Sequence, residues 1–314
     1  MGDGLVIKKE WLVINKKTVT PLKDIRLADQ TFLTFPEWYL VFSPEEQANY
    51  FKHTTATSFP FNSHTRQIWE SYHIVNNQIK GNFPPNKGYH FMIWVIGSSA
   101  SVEYSIKAVY EKLIGRITDT HEVITVEDKF NAKFTQHYVD FIKDRPWYEF
   151  DFKTQLKDLW RDNAFWGDHF GRKIERRYIL TSELLVKYIY GKLIGLGTKQ
   201  VYDEALPNTV VVINNDSLVN LPRYDKFNPA IQSLALKGNQ IKEIAGNNSA
   251  ILLTLIVPRN ARTEFDGAQT VFIQPLASDL SKKRIAIAIP VKDLNVLLMD
   301  LNRNKVDIEH VFDF

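Results

Sequence analysis

The stretch Glu103–Gly115, EYSIKAVYEKLIG, is met again 80 residues further on as Glu183–Gly195, ELLVKYIYGKLIG. Glu, Lys, Tyr, Lys, Leu, Ile and Gly recur position for position, with no gap. At about 100° per helical residue, Glu103, Lys107, Tyr110 and Ile114 fall in one stripe, and Ile106, Val109 and Leu113 in a neighbouring apolar one. The second copy repeats both stripes, as Glu183, Lys187, Tyr190, Ile194 and as Val186, Ile189, Leu193. Glu stands N-terminal to Lys at i,i+4, the better orientation for an ion pair, and Gly115 and Gly195 suit a helix-ending C′ position. Two readings are open for Glu103, Lys107, Tyr110, Glu183, Lys187 and Tyr190. They line a polar seam between related helices, a candidate ligand cleft, or they form surface ion pairs worth about a few tenths of a kcal/mol.

Upstream of the first copy lies FMIWVIGSSASV, Phe91–Val102. Only 15 uncharged residues run from Gly88 to Val102, short of the ~20 that span a bilayer. Glu103, Lys107, Glu111 and Lys112 then follow, each costly at mid-bilayer depth. The segment reads either as a buried core helix or as an interfacial one, with Trp94 and the lysines at headgroup level. Further upstream, Ser43-Pro44-Glu45-Glu46 predicts a helix start, with Ser as N-cap and Pro at N1. A second helix is predicted from about Ser63 to Gln78, before the break at Pro84–Gly88. Pro36-Glu37-Trp38-Tyr39 resembles Pro146-Trp147-Tyr148, and Trp69 has a counterpart in Trp160. With those pairs included, the expected duplication would relate residues 31–118 to 130–198 as two versions of one helical unit.

Just before the second copy comes Arg172-Lys173-Ile174-Glu175-Arg176-Arg177. On a helix Arg172, Lys173, Arg176 and Arg177 share a face. They suit lipid phosphates, a phosphorylated ligand or an acidic partner, or else form a solvated face balanced by Asp158, Asp162 and Glu183.

Beyond Lys199 the pattern changes. Pro207 and Asn214-Asn215-Asp216 mark a boundary, and strands are predicted at 210–213, 241–245, 251–257, 271–274, 283–290 and 306–311. Gly246-Asn247-Asn248-Ser249 predicts a hairpin turn. A strand, Pro-x-x-Asp, helix, tight turn and strand recur, with Pro222/Asp225 and Pro290/Asp293 at the two helix entrances. Two such β–α–β units fold most simply into one antiparallel sheet with both helices on one face. The expected class is therefore α+β. Residues 1–30 form an extension, 31–204 an aromatic-rich, internally duplicated helical domain, and 205–314 a ferredoxin-like (ACT-like) domain.

A net charge of +3 is too small to argue for nucleic acid. The absence of cysteine removes thiol nucleophiles, disulfides and Cys-ligated zinc or iron–sulfur centres. Lys8, Lys9 and Glu10 interrupt any signal-peptide core. Neither a P-loop nor GxSxG, GxGxxG or HExxH occurs. Glu70-x-x-His73 is half of a di-iron pattern and lacks its second half at Trp160–Asn163, so no metal or cofactor is expected.

Several stretches resemble an uncharacterised group of predicted bacterial membrane or membrane-anchored proteins. They are Thr34–Tyr39 with Ser43–Glu45, Gly88–His90 with Val102–Tyr104, Pro146–Phe152, Glu175–Tyr178 and Glu309–Phe314. The resemblance covers most of residues 31–314, implies membrane association and transfers no catalytic residue. The expectation is a non-enzymatic, membrane-associated or peripheral protein. Its helical domain would contact anionic lipid or a partner, and its C-terminal domain would bind a small molecule or form a homo-oligomer. The alternative is an enzyme acting on a lipid-like or aromatic substrate, with His73, His90, Glu103 and Glu183 as acid–base candidates. Localisation is left between membrane-associated and cytoplasmic.

Overall fold

Helices occupy the earlier part of the chain and strands the later part, in a computed structural model that describes residues 7–13, 17–27, 30–119, 123–161, 166–198 and 208–313. The helices are α1 (Gln30–Phe51), α2 (Phe61–Ile79) and α3 (Lys87–Tyr110), then a π-helical turn (Glu111–Gly115) running into the short α4 (Arg116–Thr118). After these come α5 (Val126–Ile142), α6 (Phe152–Arg161) and α7 (Phe170–Thr198). Two compact units result. One comprises Met1–Tyr39, Arg66–Ser98 and Leu206–Phe314, the other Leu40–Thr65 and Ser99–Ala205. Helices α1, α2 and α3 each contribute one part to each unit.

In the first unit the chain continues through β1 (Asn208–Ile213), β2 (Ser217–Pro222), α8 (Phe227–Leu236) and β3 (Ile241–Ile244). It then forms β4 (Ala250–Pro258), β5 (Gln269–Pro275), β6 (Lys282–Pro290), α9 (Leu294–Arg303) and β7 (Asp307–Val311). Both predicted β–α–β passes are present, as β2–α8–β3 and β6–α9–β7. Pro222 and Pro290 each stand just before a short 3-10 turn that carries Asp225 or Asp293. The expected single sheet is instead two antiparallel sheets, ordered β2-β1-β3 and β5-β6-β4-β7. The reason is topological. Each pass leaves a gap between its two parallel strands, and an earlier strand fills it, β1 in one case and β4 in the other. The tight turn forms one residue earlier than expected, at Ala245-Gly246, where Ile244 and Asn247 exchange backbone hydrogen bonds, but β3 and β4 then belong to different sheets and no two-stranded ladder follows.

One apolar core serves both sheets and both helices, including Val211, Phe227, Ile231, Leu253, Ile287 and Leu297. In β6 the alternation is Ile against Ala, not apolar against polar, and Ala286 and Ala288 are as buried as Ile285 and Ile287. Phe35 of α1 packs its ring edge-on to Phe272 and Phe312 at 5.9 and 6.1 Å. In the N-terminal extension no strand forms among the described residues. Instead the Val19 and Thr20 backbone N–H groups donate to the Glu243 carboxylate.

The second unit has an aromatic core. Phe134, Phe150, Phe152, Leu159, Leu180 and Leu184 pack together, flanked by Phe130, Tyr138, Phe141 and Trp147. Three local expectations are corrected here. Helix α1 runs through Ser43-Pro44, so Ser43 is no N-cap, because its hydroxyl is used by tertiary partners described below. Gly115 has φ −53° and ψ −45°, and Gly195 lies inside α7, so neither is a left-handed cap. Pro36 and Trp38 lie in the interior of α1, whereas Pro146 opens a 3-10 turn at Trp147–Glu149, so these look-alikes sit on unlike elements.

Candidate functional site

The two copies of the repeat meet through their polar stripes. The Lys107 Nζ lies 2.9 Å from Glu103 and 2.8 Å from Glu183, and the Lys187 Nζ lies 3.1 Å from each. The pairing is antiparallel, since Glu103 meets Lys187 while Lys107 meets Glu183. Each carboxylate thus holds two ammonium groups and each ammonium two carboxylates, in a closed four-membered clasp. Lys107 also lies over the Phe61 ring and Lys187 over the Tyr138 ring. Burial alone would raise the Glu103 carboxyl, but Lys187 and Lys107 outweigh it and hold it at about 2. Glu183 is likewise lowered, as the two lysines overcome its burial, and Lys107 and Lys187 are raised by the two carboxylates. All four groups are therefore charged at neutral pH, and none is poised as a general acid or base.

Tyr110 and Tyr190 leave the clasp. Tyr110 reaches the Glu175 carbonyl at 3.4 Å and underlies Arg176, while Tyr190 stacks on Trp147. His73 and His90 belong to the other unit, where His73 is exposed and the His90 Nδ1 lies 3.0 Å from the Tyr72 hydroxyl.

The basic run before the second copy is turned inward, against the expected phosphate-docking face. Arg172, Arg176 and Arg177 are buried, and Lys173 is half-buried. Arg176 makes a two-pronged bridge to Glu111 at 2.7 and 2.9 Å and also pairs with Glu175. Arg177 meets Glu127 at 2.6 Å. Arg172 lies between Glu175, Asp128 and Asp119 at 3.2, 3.4 and 3.5 Å. Asp128 is fixed by a capping box with Thr125 at the start of α5. Of the counter-ions named from sequence, Asp158 pairs with Arg161, Glu183 sits in the clasp, and Asp162 lies outside the described residues. Desolvated guanidinium groups need carboxylates at hydrogen-bond distance, and the fold supplies them from α5 and the π-turn. Thr125-x-x-Asp128 was the readable signal, being a capping box in sequence.

A third cluster was not foreseen. The Ser43 Oγ lies 2.7 Å from the His64 Nδ1 and 2.8 Å from the Tyr104 hydroxyl, and the His64 Nε2 lies 3.6 Å from Glu46. The Gln47 amide donates to the Tyr104 hydroxyl at 3.0 Å. Ser, His and Glu in this order resemble a hydrolytic triad, yet Ser43, His64 and Glu46 are all buried. The residue after the serine is Pro44, which lacks the backbone N–H that such sites use for the oxyanion. As built, this is a polar network that ties α1, α2 and α3 together within the unit.

What remains exposed is the apolar stripe of each copy. Val102, Ile106, Val109 and Leu113, and likewise Val186, Ile189, Leu193 and Leu196, are each more than half exposed. Phe91 and Trp94, on the part of α3 that belongs to the first unit, are exposed as well. No described helix is long and apolar enough to cross a membrane. A groove of about 450 Å³ in the second unit is lined by Lys52, Ala132, Lys133, Gln136, His137 and Asp140 and contains none of these residues.

Comparison with known proteins brings no match, whether to a family model, a curated protein or a solved structure.

Proposed function

We propose that the protein is a non-enzymatic, peripheral membrane protein that lays the α3–α7 pair of its second unit on a lipid surface. The observation that carries this reading is the outward exposure of the same aliphatic stripe in both copies of the repeat. On each helix the centre of the stripe lies about 110–120° from the middle of the clasp pair. Because the helices run in opposite directions and meet through the clasp, both stripes emerge on the same side of the pair. Fully burying a Val, Leu or Ile side chain is worth about 1.5–3 kcal/mol, so eight such residues left mostly in water point to a surface made to be covered.

A bilayer suits this face better than a second copy of the chain. The only acids in residues 102–118 and 185–196 are Glu103 and Glu111, and both are engaged in ion pairs. The exposed charges of these stretches are the cations Lys112, Arg116 and Lys192, which would oppose one another across a self-association contact. In each copy the lysine of KLIG lies on the flank of the stripe away from the clasp, where its stem can follow apolar surface while its charge reaches headgroups. We read the matched stretches as an internal duplication, and the two split β–α–β passes as a ferredoxin-like derivative that binds a small ligand or dimerises. The enzyme alternative required an open cleft between the duplicated helices, and the ions that would line it neutralise one another.

Flotation with phosphatidylcholine vesicles tests the reading. The protein should float with the vesicles, and Ile106→Ser with Ile189→Ser should abolish this while leaving the circular dichroism unchanged. Failure of the wild-type protein to bind any vesicle, or a dimer in light scattering that the same pair of changes dissociates, would overturn it.

A further inference from the structure

We infer that the lipid surface is an anionic one, its headgroup phosphates being taken up by a border of cations around the apolar face. This inference rests on the lipid-binding reading above and adds to it the chemistry of the partner.

The border has two parts. The first comprises Lys112, Arg116 and Lys192, exposed on the outer flanks of the two stripes. The second is on α6, where Lys153 and Lys157 are exposed and share a flank with Trp160 at helical spacing. Trp160 fixes where that flank lies. Its indole N–H donates to the Thr181 hydroxyl of α7 at 3.1 Å, and its ring underlies Arg177. Thr181 is one turn from Leu185 and next but two to Tyr178, both exposed, so the lysine flank of α6 adjoins the α7 stripe. Trp160 and Tyr178 are half or more exposed, and such rings favour the headgroup level.

Two exposed acids, Glu149 and Asp151, flank this border, and Asp151 lies within electrostatic reach of Lys153 and Lys157. Asp151 caps α6, accepting from the Thr154 N–H at 3.0 Å and from its hydroxyl at 2.6 Å. Asp158 is paired with Arg161 at 2.8 Å. The buried arginines 172, 176 and 177 take no part, since their carboxylates already neutralise them. Five exposed cations thus surround an apolar strip whose own charges are closed in the clasp. Glu149 and Asp151 offset part of that charge, and a purely zwitterionic surface would leave the remainder without a counterpart.

Vesicles of phosphatidylcholine alone, and with about 30 mol% phosphatidylglycerol, separate this inference from the reading beneath it. Each cation at the surface is worth about fivefold in affinity, so the wild-type protein should prefer the anionic vesicles by at least ~100-fold. Lys112→Gln with Lys192→Gln should cut that preference about 25-fold. Raising salt from about 0.1 to about 0.5 M should erode the preference in the wild-type protein more than in the double variant. Equal binding to both vesicles, or a preference the lysine changes do not touch, would overturn the inference and leave lipid binding standing. Binding to neither vesicle would overturn both.

Discussion

Gly115 and Gly195 occupy the same place in the repeat, and alanine at the two should have opposite effects. Both lie in right-handed helical backbone, so replacing either would ordinarily stabilise the protein by about 0.5–1 kcal/mol. A methyl at Gly195 meets only the Tyr148 ring at 3.5 Å, an ordinary contact. A methyl at Gly115 would sit 2.2 Å from the Glu111 Oε2 and 3.2 Å from the Arg176 Nη2. The Glu111 carboxylate can swing away, but only by giving up part of its two-pronged bridge to Arg176. One charge-assisted hydrogen bond in a buried site is worth about 1.5–3 kcal/mol, which exceeds the helix-propensity gain. Gly115→Ala is therefore expected to destabilise by about 1–2 kcal/mol, and Gly195→Ala to be neutral or stabilising by up to ~0.5–1 kcal/mol. Urea unfolding followed by far-ultraviolet circular dichroism would measure both. A Glu111→Ala background supplies the internal control, because there the new methyl meets no carboxylate and Gly115→Ala should become favourable. If Gly115→Ala is as benign as Gly195→Ala, the bridge does not cross the helix where it is placed here, and the reasoning fails.

Other outcomes follow from the same geometry. Arg176→Met strands Glu111 in a buried site, Glu175 keeping Arg172, and should cost about 3–5 kcal/mol, while adding Glu111→Gln should recover part of that loss; strictly additive effects in a double-mutant cycle would count against the bridge. Glu103 is held at about 2 against an ordinary value of 4.5. Its contribution is accordingly present above the ordinary value and lost as pH falls from there towards 2. Glu103→Gln should thus weaken the protein at neutral pH and flatten its acid dependence in that window, and an unchanged acid limb in the variant would refute the clasp. Ser43→Ala removes a shared partner of His64 and Tyr104 and should cost about 1–3 kcal/mol. Labelling of Ser43 by a fluorophosphonate would show that the network is a reactive triad after all.

The 3.6-residue periodicity of 103–115 and 183–195 made it legible that both are helical and that their Glu and Lys lie on one edge. That these edges face one another was one of two open readings, because periodicity orients a side chain about its own helix and says nothing of the neighbour. The Pro-x-x-Asp entrances located α8 and α9 for a local reason, since proline fixes φ wherever it stands. The number of sheets was not legible, because strand pairing depends on which earlier strand fills the gap in each pass. Lys283–Pro290 in fact carried its own warning. Its Ile/Ala alternation offers no polar face, which fits a strand covered on both sides.

The basic run at 172–177 and the apolar stripes at 106–113 and 186–193 show where local pattern stops. Sequence placed the cations outside and identified the aliphatic stripes without saying what covers them. Tertiary structure turned the arginines inward and left the stripes exposed. Carboxylates from α5 and the π-turn come close enough to outweigh the desolvation of three arginines, while the second unit fills its core with the rings of Phe134, Phe150 and Phe152 and leaves the aliphatic stripes facing out. The chain alone determined which residues share a helical face. Only the fold decided which of those faces meets protein and which meets solvent, because that depends on partners distant in sequence.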